Sequence, residues 1–216
     1  MFRRLYEMAV AVLVATSSLS LPAEAQQLDG QAVVRKVRAT FESLKSMRAR
    51  FTQIFEWKLV GESQKTSGSL AAAKGDCYRI ETDDQLIVTD GKTVWNYSKA
   101  NKQVIIDELG KTADAPLMRD LMLRYAEGYT AVLKGQEAIG GSDCYVVELR
   151  PKGEEFITAV TLWVDGKLWI PLRVRQMDVN DNVNLYELQD VELNVTLAGS
   201  LFTFQPPAEA EVIDMR

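Results

Sequence analysis

Apolar side chains recur along this chain with two different periods, and the switch between them divides it into elements. Val33, Val34, Val37, Phe41 and Leu44 fall at helical spacing, with Arg35, Lys36, Arg38 and Glu42 on the other face. That pattern predicts an amphipathic helix of about four turns over residues 29–45. The period then becomes two. Over residues 50–59, Phe51, Phe55, Trp57 and Leu59 share one face of an extended segment, interrupted by Gln53. Strand-like runs follow at 66–73, 77–82, 85–89, 93–97 and 103–107, separated by Lys74-Gly75-Asp76, Asp83-Asp84, Asp90-Gly91 and Ala100-Asn101. Asp90-Gly91 between two apolar runs is the clearest tight-hairpin signal in the chain.

A second helical stripe interrupts the strands. Asp114 can cap it, Pro116 suits its first turn, and Leu117, Met118, Leu121, Met122 and Tyr125 form a broad apolar face ended by Gly128. Strands resume at 129–137, 143–150, 158–164, 168–177 and 183–195, and Phe202-Thr203-Phe204 reads as a last strand stopped by Pro206-Pro207. No repeat, low-complexity segment or linker divides the chain. The expectation is one α+β domain, an antiparallel sheet of roughly ten strands with two helices against it, and a sheet of that size curls or closes.

The N-terminus adds a compartment. Arg3 and Arg4 precede the apolar run 8–15, which leads through Ser17, Ser18 and Ser20 to Ala23-Glu24-Ala25. A charged start, a short apolar stretch and a small-x-small site predict a cleavable signal peptide over residues 1–25, leaving a single exported domain at 26–216. The apolar stretch falls well short of the ~20 residues that span a bilayer. No cysteine stands at the cleavage point to carry a lipid. In an oxidising compartment Cys77 and Cys144 can pair, and closing the long span between them would contribute roughly 3–4 kcal/mol in the chain-entropy model. Both also lie in strand-like runs, where each can equally be a small buried apolar residue.

A formal net charge of −5 with no basic run argues against nucleic acid. The absence of histidine removes the Ser-His-Asp and Cys-His arrangements, imidazole metal sites and the commonest general base at neutral pH. No Gly-rich phosphate loop or nucleophile elbow is present. The acid pairs Asp83-Asp84 and Glu154-Glu155 fall at hairpin tips, where solvated turn carboxylates are ordinary. No enzyme and no cofactor are expected. What remains is apolar: the aromatic face of residues 51–57, the pair Trp95 and Tyr97, and methionines beside the helices, Met47, Met118 and Met122. Methionine serves where an apolar surface must accept varied shapes. A curved sheet facing two apolar helices can hold a greasy cavity instead of a filled centre.

Several of these segments resemble the LolA family of outer-membrane lipoprotein carriers. Ala49-Arg50-Phe51-Thr52-Gln53 is similar to its A-x-F-x-Q signature, and Gly68-Ser69-Leu70 through Arg79-Ile80-Glu81 to the following two-strand segment. The stretch from Asp84-Gln85-Leu86 to Thr89-Asp90-Gly91-Lys92-Thr93-Val94-Trp95, continued by Tyr97, resembles its D-G-x-x-[LV]-W block. Leu162-Trp163-Val164-Asp165, Pro171-Leu172-Arg173 and Leu201-Phe202-Thr203-Phe204-Gln205-Pro206-Pro207 match its later blocks. The resemblance covers nearly all of the exported chain.

It implies an incomplete, unclosed β-barrel whose helices form a lid over an apolar cavity. In a monomeric carrier working in the periplasm, that cavity would take the acyl chains of lipoproteins released by the inner-membrane LolCDE transporter and deliver them to the acceptor LolB. Phe41, Leu44, Leu117, Met118, Leu121 and Met122 would form the roof, and Phe51, Phe55, Trp57, Tyr78 and Ile80 the wall. In the family an arginine latches the lid; Lys74 stands in its place, followed by Gly75 where proline is usual, and lysine lacks the planar fork that satisfies several carbonyls at once. Tyr78 holds the neighbouring aromatic position that handles cargo. Each buried methylene contributes about 0.8 kcal/mol, so one fully buried acyl chain would contribute about 10 kcal/mol, of which a carrier that must unload can keep only part. Two other readings of the same fold are a lipid- or lipoprotein-sensing regulator similar to RseB, which normally carries a further domain, and a structural or pigment-pathway protein with a repurposed cavity.

Overall fold

The computed structural model describes residues 28–110 and 127–216. Its first element is the predicted helix, α1, Gly30–Ser43. Asp29 caps it, its side chain accepting the Ala32 N–H at 2.6 Å, and Val33, Val34, Val37 and Phe41 form the buried stripe. Twelve strands follow: β1 Ser46–Trp57, β2 Glu62–Ala73, β3 Cys77–Thr82, β4 Gln85–Asp90, β5 Thr93–Ser98, β6 Gln103–Glu108, β7 Tyr129–Ile139, β8 Ser142–Pro151, β9 Ile157–Asp165, β10 Pro171–Asp178, β11 Val183–Leu193 and β12 Glu211–Asp214. They form one sheet in the order β12-β6-β5-β4-β3-β2-β1-β11-β10-β9-β8-β7. Its edges, β12 and β7, do not pair, so the barrel is open, as the sequence implied. No described helix is long and apolar enough to cross a membrane.

The hairpins form where turn chemistry allows. At Asp90-Gly91 the Asp90 carboxylate accepts the N–H groups of Lys92 and Thr93 at 2.9 and 2.8 Å, and Gly91 takes φ +91°. Gly91 also has no room for a side chain, since a Cβ would lie 2.0 Å from the Gly75 carbonyl oxygen in the β2–β3 turn. At Asp165-Gly166 the carboxylate, almost fully buried, accepts from Lys167 and Leu168 N–H at 2.7 and 2.8 Å. Burial opposes its ionisation, but these N–H donors, the Ser142 hydroxyl and the Lys167 charge together outweigh that and hold its pKa below the usual value.

Cross-strand register shows which side chains share a face. One row runs Val147–Leu162–Val174–Tyr186–Gln53–Thr66 from β8 to β2. Neighbouring rows place Leu188, Phe51 and Gly68 on the same side, which is the face α1 covers. There the helix packs on β7 and β8, and Val33, Val34, Val37 and Phe41 join Tyr129, Val147, Leu149, Val160, Leu162, Val164, Ile170 and Val174 in one buried cluster. Contact at the helix start is close: a Cβ on Gly30 would sit 2.6 Å from the Ala131 backbone of β7.

The other end of the sheet is covered from the opposite side. Leu86, Val88, Val104 and Ile106 alternate away from that inner face and are buried, together with Phe202. Here the C-terminal segment crosses the outer surface, its short 3-10 turn Gly199–Phe202 touching β3 and β4 and Phe204 lying 5.8 Å from Tyr97. The strand expected at Phe202-Thr203-Phe204 is therefore not one. Its two phenylalanines cover apolar sheet surface, and no backbone ladder forms. The chain then returns as β12, parallel to β6, so the antiparallel expectation has one exception. Trp95 and Tyr97 belong to this outer face.

Cys77 and Cys144 are free thiols, so of the two readings left open the structure takes the unpaired one. They stand on β3 and β8, with five strands between them in the sheet order. Burial raises the pKa of both thiols, with nearby aspartates adding to it. Protein denatured without reductant is expected to titrate two thiols per chain, and in native buffer Cys144, fully buried, should react only after unfolding. A chain that yields no thiol until reduced would reinstate the bridge.

Candidate functional site

The inner face divides into two halves of different character. Over β7–β10 it is filled by α1. Over β1–β5 the rows Met47–Ala72–Tyr78–Thr89–Val94 and Ala49–Leu70–Ile80–Ile87–Asn96 continue the same face. Ala49, Leu70, Tyr78, Thr89 and Val94 are buried; Phe51, Ile80 and Ile87 are half-buried. Phe51 lies over Gly68, where a Cβ would come within 3.0 Å of its ring and 2.2 Å of the Glu81 carbonyl oxygen. Glycine at 68 lets the aromatic ring and the bent strands approach this closely.

The expected wall residues Phe51, Phe55, Trp57, Tyr78 and Ile80 are thus brought onto one face, as the two-residue period required. They do not form one cluster. Phe55 and Trp57, with ring centroids 4.6 Å apart, reach the hairpin end of β1, where Trp57 is 37% exposed. Together with Gln53, Gln64 and Thr66 they line a cleft of about 330 Å³. Tyr78 and Ile80 both lie on β3, two strands away. Beside Phe55, toward β11, the face is polar: Gln53 Nε2 donates to Asn184 Oδ1 at 3.0 Å and to the Tyr186 hydroxyl oxygen at 3.3 Å, which also receives Asn184 Nδ2 at 2.7 Å. The polar interruption at Gln53 is therefore satisfied by the strand paired opposite, β11. Asn184, Tyr186, Leu70, Ile87 and Val94 were not singled out by the sequence, because their face is set by pairing with strands far along the chain.

Of the expected roof, Phe41 is 8% exposed within the α1 core and Leu44 packs against that core. Leu117, Met118, Leu121 and Met122 lie outside the described residues. Lys74 sits exposed in the β2–β3 turn; its backbone N–H donates to the Lys45 carbonyl at 3.0 Å, which ties the turn to the segment following α1. Among the described residues its ammonium has no hydrogen-bond or ion-pair partner.

A second hollow, about 470 Å³, lies on the outer face, lined by Arg48, Arg50, Arg79, Glu81, Asp190 and Glu192 with Leu197 and Leu201 of the C-terminal segment. Its cations are paired, Arg48 with Glu192, Arg50 with Asp190 and Arg79 with Glu81. Among the described residues no group of His, Cys, Asp or Glu is placed to hold a metal ion. Asp83-Asp84 occupies the turn between β3 and β4, exposed to solvent.

Comparisons with known proteins bear on this arrangement. The family described as "Outer membrane lipoprotein carrier protein LolA" matches residues 42–205. An outer-membrane lipoprotein carrier protein of Pseudomonas aeruginosa is 24% identical over 205 residues, covering 91% of this chain and 95% of that one. An uncharacterized protein of Methanocaldococcus jannaschii is 27% identical over 191 residues, or 87% of this chain; the chain spans about half its length, 55%. Among solved structures, an uncharacterized conserved protein from Thermus thermophilus aligns with TM-score 0.58 at 15% identity, covering 85% of this chain and 98% of that one. MucB aligns with TM-score 0.54 at 15% identity over 85% of this chain and 65% of that one. These two likenesses are of fold.

Proposed function

The chain belongs to the LolA family, and from that premise we propose that it is a carrier that shelters the acyl chains of lipoproteins on their way from the inner to the outer membrane. The observation that carries this reading is the family match over residues 42–205, which takes in the whole β1–β5 inner wall. The geometry supports it. Phe51, Ile80 and Ile87 present apolar surface that α1, committed to β7 and β8, does not fill. A surface of that kind suits hydrocarbon that must be held and then given up, since burial scales with methylenes covered. In this reading Leu117, Met118, Leu121 and Met122 supply the movable cover, Phe41 and Leu44 close its edge from α1, and Lys74 marks the rim where the cover is held. The protein works in the periplasm after loss of residues 1–25, receives cargo from LolCDE and passes it to LolB, and needs no cofactor and no catalytic step.

The test is direct. Purified protein lacking residues 1–25 is mixed with a detergent-free diacylated lipoprotein and run on a sizing column. The expected result is a soluble one-to-one complex that keeps the lipoprotein from sedimenting. Lipoprotein that still aggregates in equal or excess protein would overturn the carrier reading. Isolation instead with a bound signalling protein and no lipid would favour the sensor similar to RseB.

A further inference from the structure

Among the described residues, Tyr78 carries a feature of the inner wall that its own packing does not explain. The residue is 5% exposed, stands between Ala72 and Thr89 in its row, and has a buried hydroxyl with no hydrogen-bond partner among the described residues. Thr89, the nearest polar residue along the row, has its hydroxyl oxygen engaged by the Gly91 N–H at 3.0 Å. Tyr186, the phenol on the same face at β11, has its oxygen engaged by Asn184 and Gln53. Leaving a buried hydroxyl unpaired costs about 1–3 kcal/mol, a cost phenylalanine would avoid at this position.

We propose that the Tyr78 hydroxyl is a hydrogen-bond donor for the carbonyl oxygen of a bound acyl ester or amide, an inference that rests on the acyl-carrier reading. The neighbouring inner-face residues Leu70, Ala72 and Ile80 are apolar, so a free carboxylate would meet them at high desolvation cost, whereas a neutral carbonyl needs only one donor. Burial raises the phenol pKa, so the group stays protonated and able to donate. The carbonyl fixes the depth at which the chain enters the wall, and the hydrocarbon beyond it is held without directional contacts.

The experiment compares wild type with Tyr78→Phe, using two probes that differ only in the carbonyl: 1-monopalmitoylglycerol and its ether analogue 1-O-hexadecylglycerol. Affinities are read by displacement of a fluorescent apolar dye, and stability by thermal unfolding. Wild type is expected to prefer the ester by about five- to tenfold, and Y78F to lose that preference while binding the ether as wild type does. Y78F should melt no lower than wild type, because it removes an unpaired hydroxyl. An undiminished ester preference in Y78F, a lower melting temperature, or equal loss of both probes would each overturn the subsite. Wild type that binds neither probe would instead sink the acyl reading itself. Repeating the pair with an N-palmitoylated lipopeptide and with dipalmitoyl phosphatidylglycerol separates the sources: loss on the first assigns the carbonyl to a lipoprotein, loss on the second alone to a phospholipid, and either supports the subsite.

Discussion

Ile80→Glu is expected to weaken acyl binding by roughly 100-fold while the sheet still folds, because a loaded chain would strip water from an unpaired carboxylate. Ile80 sits in the centre of the row Ala49–Leu70–Ile80–Ile87, half-buried, with apolar neighbours on both adjacent strands. In the empty protein the glutamate can turn toward solvent. In the loaded protein it must be neutralised or desolvated, and both routes act against binding. Far-UV circular dichroism and thermal unfolding should stay near wild type, while displacement of an apolar dye by acyl probes should fail. The Ile80→Val control should bind within a few-fold of wild type, since it keeps the apolar wall and removes only about 0.8 kcal/mol of burial. Full binding by I80E would move the acyl chains off this wall.

Leu162→Ala should do the converse. Leu162 is 1% exposed, in the row Val147–Leu162–Val174 beneath α1. Removing three carbons there leaves a void that the helix and sheet cannot close, at a cost of about 3–4 kcal/mol in unfolding free energy. For a domain of this size that is a fall of about 10 °C in melting temperature, out of a total stability of about 5–15 kcal/mol. Measured below the transition, acyl binding per folded molecule should be unchanged. A loss under about 1.5 kcal/mol would mean that the β7–β10 half is loosely filled. Equal loss of binding would mean that this half also takes ligand. The pair of variants therefore separates the half of the inner face that holds the fold together from the half assigned to cargo.

The difference between these halves was only partly legible in the sequence. Helix α1 was legible because every signal for it is local: an aspartate cap and an apolar stripe at helical spacing. The Asp90-Gly91 hairpin was legible for the same reason, and so was the common face of Phe51, Phe55 and Trp57. At Phe202–Phe204 the local pattern misled. Alternation of aromatic and polar side chains is the same whether the backbone joins a ladder or lies across a sheet, and here the rings cover Tyr97 and its neighbours. Gln53 looked like a flaw in an apolar face until β11 brought Asn184 and Tyr186 beside it from more than a hundred residues away.

Alternation, caps and turn residues determined from the sequence alone that this is a strand-rich α+β chain led by an amphipathic helix, because such signals act within a few residues and need no partner. The family blocks between residues 49 and 207 were likewise readable in the sequence, and the family match over residues 42–205 supports them. Only the tertiary structure decided which half of the inner face α1 fills, that the C-terminal segment covers the opposite side, that β12 closes onto β6 in parallel, and that Cys77 and Cys144 stay apart. It also left the Tyr78 hydroxyl buried and unpaired among the described residues. Each of these depends on contacts between segments distant along the chain, whose register no local pattern encodes.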